Sequence, residues 1–183
     1  MFFDERSTCP DRQHRNERRV LAVIRWPVGG IRSYLLYTYP HLLEAGYRFS
    51  FVVPADSFRA FAEDIQDWPE TEIVEAPVRG RKCHLRSTIR RLLRERRFSL
   101  IHSHGLTAAI HCALANLGLG VPHIITSHDV IRVNQFPGIL GRVKRAVIGR
   151  LLSLADRLVT VSQDAHANHL YYFLYLQRCP EKV

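Results

Sequence analysis

Six short runs rich in Val, Ile and Leu recur along the chain, each followed by a stretch of helical apolar spacing, and this alternation constrains the fold more than any other feature. The strand-like runs are Arg19 to Arg25, Arg48 to Val53, Glu72 to Ala76, Ser99 to Ser103, His123 to Ser127 and Arg157 to Ser162. Helix-like stretches lie between them at Ile31 to Ala45, Ser57 to Gln66, Leu85 to Arg96, Leu106 to Leu117 and Ile139 to Leu154, with a last one from Gln163 onward. Such alternation predicts an α/β fold: a doubly wound, mostly parallel sheet with helices on both faces, Rossmann-like in layout. Ligands of these sheets bind outside the carboxyl ends of the strands. Attention therefore falls on the loops Trp26 to Gly30, His102 to Gly105, His128 with Asp129, and Ser162 to Asp164.

Two details refine the element boundaries. Gly46 suits the left-handed residue that closes the first helix. Pro40 lies inside that helix, where its ring and missing N–H predict a kink or a break near Tyr37 to Pro40. Residues 1–18 are polar after the first few positions, lack the apolar stretch of a secretion signal, and read as a mobile tail. The apolar, aromatic stretch Tyr171 to Leu176 calls for a surface to bury against, either on its own domain or elsewhere.

Phe98 to His128 contains no Asp, Glu, Lys or Arg, but His102, Ser103, His104, His111, Asn116, Pro122, His123 and Ser127 interrupt it, so it reads as strand, helix and strand buried in the domain rather than a membrane span. The four cysteines, Cys9, Cys83, Cys112 and Cys179, form no C-x-x-C pair and read as reduced thiols of a cytoplasmic protein. With 26 Lys and Arg against 17 Asp and Glu, the net charge of +9 favours anionic partners without choosing among them.

The turn Pro27-Val28-Gly29-Gly30 has two readings: glycine for a sterically tight strand-to-helix turn, or glycine that lets a phosphate approach backbone N–H groups at a helix start. A dinucleotide fingerprint is missing, because G-x-G-x-x-G is absent and the second strand ends Val52-Val53-Pro54 without an acidic residue. This disfavours an NAD-dependent oxidoreductase. His102 and His104 are read here as pointing to opposite faces of their strand and hence as unsuited to one metal; with His111 and His128 they are taken as structural imidazoles, and no metal is expected. His128 opens the loop after the fifth strand, where it either hydrogen-bonds a sugar hydroxyl and assists proton movement, or merely supports the helix start or Asp129.

The segment from Arg79 to Arg97 is basic, with Leu85, Ile89, Leu92 and Leu93 on one helical face and Arg86, Arg90, Arg94 and Arg97 elsewhere. It reads either as a core-packed helix with a solvated face or as a contact for an anionic membrane, and Arg142 to Arg150 repeats the ambiguity. A basic nucleic-acid-binding domain is the reading from another class. No RNA- or DNA-binding motif, and no aromatic residue interleaved with the arginines, supports it.

Five stretches taken in order, V-G-G-I-R-S-Y-L-L, L-L-E-A-G-Y-R-F-S-F-V-V-P, F-S-L-I-H-S-H-G, P-H-I-I-T-S-H-D and A-D-R-L-V-T-V-S, resemble the amino-terminal domain of glycosyltransferase family 4, a group of retaining GT-B enzymes. The resemblance covers about residues 19–170 and implies an acceptor-side, Rossmann-like half that closes over a nucleotide-sugar donor, with 171–183 beginning an interdomain linker. It places Gly29 and Gly30 near the donor diphosphate and His128 near the transferred sugar, with His104, Asp129 and Ser162 lining the cleft. It implies catalysis without a cofactor or bound metal, a carbohydrate or lipid-linked acceptor, and cytoplasmic work, peripheral to the inner membrane face if the acceptor is a lipid. The family's second domain, with its E-x7-E element, has no counterpart here, so the chain is expected to be inactive alone unless a separate chain supplies that half.

Overall fold

A computed structural model describes residues 18–80, 82–178 and 182. Residues 1–17, which hold most of the expected tail, and Cys9 and Cys179 lie outside the described residues. Arg18 is fixed to the domain: its guanidinium donates to the Ala45 carbonyl at 2.6 Å, and its own carbonyl accepts from the Arg48 N–H.

The chain runs β1 (Arg19–Ile24), α1 (Gly29–Glu44), β2 (Arg48–Pro54), α2 (Ala55–Asp64), β3 (Thr71–Ala76), β4 (Val78–Arg79), β5 (Lys82–Cys83), α3 (Leu85–Glu95), β6 (Leu100–His104), α4 (Leu106–Asn116), β7 (His123–Ser127), α5 (Gly138–Leu152), β8 (Arg157–Thr160), α6 (Gln163–Tyr172) and α7 (Leu174–Gln177). Six strands form one sheet in the order β3-β2-β1-β6-β7-β8, and every neighbouring pair is parallel. This is the doubly wound arrangement expected from the alternation. The strand order reverses between β1 and β6, which opens a crevice at their carboxyl ends. The two-residue strands β4 and β5 form a small antiparallel hairpin that the sequence reading did not anticipate.

Burial on both faces explains why β1 is an unbroken apolar run. Val20, Ala22 and Ile24 pack under α1 and α2 with Phe49, Phe51, Tyr39 and Phe61, while Leu21 and Val23 pack under α3 and α4 with Leu85, Ile89, Leu92 and Ile101. A third cluster joins Ile125, Leu158 and Leu152 to Phe173 and Leu176, so the apolar end of the chain docks on its own domain. The uncharged run Phe98 to His128 resolves into β6, α4 and β7, and no helix among the described residues is long and apolar enough to cross a membrane. Cys83 and Cys112 are free thiols.

Helix α1 continues through Pro40 to Glu44, so the expected interruption is not a break. Its end is closed by a Schellman arrangement: Gly46, at φ +85°, donates to Leu43, and Tyr47 donates to Leu42. Helix α1 is tied to α2 by Arg32, which holds both carboxylate oxygens of Asp64 at 2.5 and 2.6 Å.

Candidate functional site

The crevice is built first by β6. Its last residues, His102 and His104, lie on the same face of the sheet, not on opposite faces, because side chains two apart along a strand return to one side. Their rings are 4.2 Å apart between centroids, and both bond the hydroxyl of Tyr39 from α1: His102 Nδ1 at 2.8 Å and His104 Nε2 at 2.7 Å. That hydroxyl carries one proton, so it donates to one ring and accepts an N–H from the other. His102 Nε2 continues the chain of bonds to Thr126 Oγ1 of β7 at 2.8 Å.

Burial keeps these rings neutral. It lowers His102 to about 4, with further push from neighbouring imidazoles, and moves His104 well below the ordinary histidine value. The same burial carries the Tyr39 phenol well above its usual range. Opposite them, on the α3 and α4 side of the sheet, His123 bonds Ser103 Oγ at 2.8 Å and is likewise lowered by burial to about 4.

His128, at the end of β7, joins the cluster from above. Its ring lies 5.2 Å from Tyr34 of α1 in an edge contact and 5.8 Å from His104, and Tyr34 also packs 5.6 Å from His104. Burial lowers its pKa, while the neighbouring Asp129 charge acts against that shift. His104 Nδ1 and His128 Nε2 are buried without a hydrogen-bond partner. These two orphan atoms, on rings 5.8 Å apart between centroids, leave hydrogen-bonding capacity unused at this end of the sheet. A third orphan, His111 Nδ1, sits apart on α4; burial, then Arg25 and Arg86, disfavour its charged form.

The glycine turn lies at the carboxyl end of β1, the neighbour of β6. Val28 precedes α1 without a side-chain cap, and no acidic residue occupies the first turn, so the first N–H groups of α1 have no side-chain acceptor from either source. A Cβ placed on Gly29 or Gly30 would meet nothing within 4 Å, so the backbone here borders open space rather than a packed neighbour. Steric need is thus no reason for glycine at position 30. Gly29, at φ +54°, has the additional conformational reason. Gly105, at φ +81°, lets β6 turn into α4, and a Cβ there would stand 3.4 Å from Asp129 Oδ2 and 3.7 Å from Ile31 Cδ1.

The remaining expected residues have structural work. Asp129 Oδ2 accepts the Leu106 N–H at 3.2 Å, capping α4, which has no cap of its own because its preceding residue is Gly105. Ser162 Oγ accepts the Ala165 N–H at 3.1 Å and caps α6. Ser162 follows β8, the edge strand beyond β7, and further along the same helix Asn168 holds the loop after β7 through two bonds to Ile131. On α3, Leu85, Ile89, Leu92 and Leu93 are buried as expected; Arg86 and Arg94, and Arg97 just beyond the helix, are exposed, whereas Arg90 donates to the carbonyls of Ala115 and Leu117 at the end of α4. Tyr34 and Tyr39 went unnoticed in the sequence reading. The signal was present only in part, since both lie on α1 within three turns of Gly30 but five apart, a spacing that does not by itself put two side chains on one helical face.

Among the described residues no group of three or more His, Cys, Asp or Glu is arranged to hold a metal ion. Two neutral imidazoles with orphan nitrogens can exchange hydrogen bonds with hydroxyls, and an uncapped helix start can take a phosphate.

Comparison with known proteins agrees with this layout. Among solved structures, Anabaena HepE in complex with UDP-glucose superposes with a TM-score of 0.65 at 13% identity, over 84% of this chain and 40% of that one. MurG of Acinetobacter baumannii gives 0.57 at 13% identity, over 80% and 42%, and UDP-GlcNAc 2-epimerase of Neisseria meningitidis bound to UDP-GlcNAc gives 0.55 at 16%, over 84% and 43%. The chain thus spans about two fifths of the length of these structures, and at such identities they share its fold. No curated protein matches the chain. The profile of Glycosyltransferase Family 4 matches residues 28–174, from the glycine turn to the start of α7, and the chain belongs to that family.

Proposed function

We propose that the chain forms the acceptor-side half of a retaining glycosyltransferase that takes its sugar from a nucleotide-sugar donor. The observation that supports this reading most is the contact of His128 with Tyr34 of α1, the helix that starts at the Gly29–Gly30 turn beside the strand-order switch. In the reaction the bond between the anomeric carbon and the donor phosphate breaks, and a bond to an acceptor hydroxyl forms with net retention. The nucleoside diphosphate leaves with the bonding electron pair, and the acceptor proton departs with it.

Each residue has a part in that scheme. The N–H groups at the start of α1 face the diphosphate, and the absence of a Cβ at Gly30 leaves room for the close approach. His128, held neutral by burial, offers one N–H and one lone pair to hydroxyls of the transferred sugar. His104, fixed by Tyr39, supports that ring from below, and Asp129 fixes the loop behind it through the Leu106 N–H. Ser162 borders the cleft at the start of α6. HepE is described with UDP-glucose, and the epimerase with UDP-GlcNAc, so UDP-sugars are the first donors to try. No cofactor or metal is invoked; the acceptor is a carbohydrate or a lipid-linked one, and the reaction is placed on the cytoplasmic side.

Orientation of two substrates needs two walls, and this domain supplies one. Turnover therefore requires a donor-binding domain, attached or separate, and the domain alone is expected to bind donor weakly without transferring sugar. Calorimetric titration with UDP- and GDP-sugars, beside NADH, tests the reading. Saturable heat from a nucleotide sugar that falls at least tenfold in affinity in His128→Ala is the expected result. Micromolar NADH binding with no response to any nucleotide sugar would overturn it.

A further inference from the structure

The bonds around Tyr39 can be counted proton by proton. Thr126 Oγ1, both ring nitrogens of His102, the Tyr39 hydroxyl and His104 Nε2 are joined in one line by hydrogen bonds of 2.8, 2.8 and 2.7 Å. Burial keeps both rings and the phenol neutral, so each of the four groups brings one exchangeable proton. The bonds between them use all but one.

Direction is forced along the whole line, because a neutral imidazole bonded at both nitrogens, like a hydroxyl between two rings, gives once and accepts once. Only two orders exist. If Thr126 donates to His102 Nε2, then His102 Nδ1–H donates to Tyr39, Tyr39 donates to His104 Nε2, and the spare proton sits on His104 Nδ1. In the reverse order His104 Nε2–H starts the line, His104 Nδ1 is a bare lone pair, and the spare proton is that of the Thr126 hydroxyl.

The two ends are not equivalent. Thr126 is 1% exposed, in β7 between β6 and β8, and its hydroxyl has no other partner among the described residues. The reverse order therefore strands a hydroxyl proton at one end and a ring lone pair at the other, whereas the forward order strands a single N–H. That N–H belongs to the last residue of β6, at the strand-order switch where the crevice opens, and the ring centroids of Tyr34 and His128 lie 5.6 and 5.8 Å from that of His104.

We infer that Thr126, His102 and Tyr39 are positioning residues that fix His104 with its proton on Nδ1, so that the crevice meets its ligand there with a hydrogen-bond donor and takes an oxygen lone pair, of a hydroxyl or of a phosphate. A ligand oxygen uses the fourth proton and leaves no donor of the line unpaired. A ligand donor at the same atom would need the reverse order, with the Thr126 hydroxyl stranded. The proton order is a property of the free chain; only the ligand's part rests on the transferase reading.

The test is nitrogen NMR of the histidine rings in the full chain at neutral pH, which reads the nitrogen that carries the proton. The forward order predicts that His102 and His104 are both protonated on Nδ1. In Thr126→Val either order strands one N–H and one lone pair, so both tautomers of His104 should appear, although Thr126 bonds only His102; Thr126→Ser should restore a single one. Tyr39→Phe cuts the line and should release the His104 tautomer, while His123, bonded to Ser103 on the other face of the sheet, keeps its own. A role in packing alone moves none of these protons. Nε2 protonation of both rings, one ring of each kind, or a His104 tautomer indifferent to Thr126→Val and Tyr39→Phe would each overturn the inference. UDP-glucose and UDP alone test the ligand's part: the His104 Nδ1–H resonance should move downfield, with UDP alone if the oxygen is a phosphate's and with UDP-glucose only if it is a sugar hydroxyl's. Binding that shifts the Gly30 amide and leaves that resonance in place would overturn the ligand's part. No binding of either would strike the transferase reading and the ligand's part with it, while the proton order stands or falls on the free chain.

Discussion

The two faces of the sheet are built from different material. Under α3 and α4 the packing is aliphatic, with Leu21, Val23, Leu85, Ile89, Leu92 and Ile101, and the buried His123 is bonded to Ser103. Under α1 and α2 it is aromatic, with Tyr39, Phe49, Phe51 and Phe61, and β6 there presents His102 and His104 to one tyrosine hydroxyl. Near its crevice end that second face still has orphan nitrogens on His104 and His128. The contrast teaches where the domain keeps polar capacity: the aliphatic side stabilises the sheet, and the aromatic side holds imidazoles ready at the strand ends.

The comparison can be broken most severely with acid. His102 and His123 lie on opposite faces, and both are lowered from the ordinary value to about 4. A folded-state pKa below the unfolded one means that the unfolded chain binds protons first as pH falls. The stability these groups contribute is complete above about 6.5 and is lost as pH drops to about 4, by about 3 kcal/mol for each. Urea melts at stepped pH should show that decline, and a flat profile would contradict the buried neutral state of both rings.

Next in size, Leu92→Ala on the aliphatic face should cost about 2–5 kcal/mol through the lost packing and the cavity it leaves. Tyr39→Phe on the aromatic face should cost about 1–3 kcal/mol, because it leaves His102 Nδ1 and His104 Nε2 without their partner while the ring still fills its place. Denaturation of the two variants side by side separates packing from hydrogen bonding. If Tyr39→Phe were neutral, the imidazole cluster would not depend on the hydroxyl.

Smaller still, Arg90→Ala should cost about 1 kcal/mol by freeing the Ala115 and Leu117 carbonyls. The smallest effect on stability belongs to Gly30→Ala, within about 0.5 kcal/mol, since its Cβ meets only open space and its backbone is not left-handed. A large loss there would mean that the turn is glycine for packing after all.

Alternation of apolar runs made the six strands of the main sheet, their mostly parallel arrangement and the loops of interest legible, because buried parallel strands must be apolar on both sides, whereas the order of the strands came only with the structure. The faces within the sheet were less so. His102 and His104 were assigned to opposite sides, and the period of two along a strand puts them together on Tyr39. Tyr34 and Tyr39 escaped notice because helix residues that reach a site look, in sequence, like ordinary core positions. Asp129, Ser162 and Arg90 were read for chemistry or membrane contact, and all three cap helices, a duty that depends on which N–H or carbonyl lies nearby in space. The hairpin of β4 and β5 is too short to leave a periodic signal.

Residue-resolved NMR during titration with UDP-glucose tests the central claim most directly. A crevice shared by the glycine turn and the imidazole predicts that the Gly29, Gly30 and Gly105 amides and the His128 ring shift together, with one binding curve, while His123 and the α3 amides stay in place. Movement of the His123 side or of α3 with a silent glycine turn would contradict it.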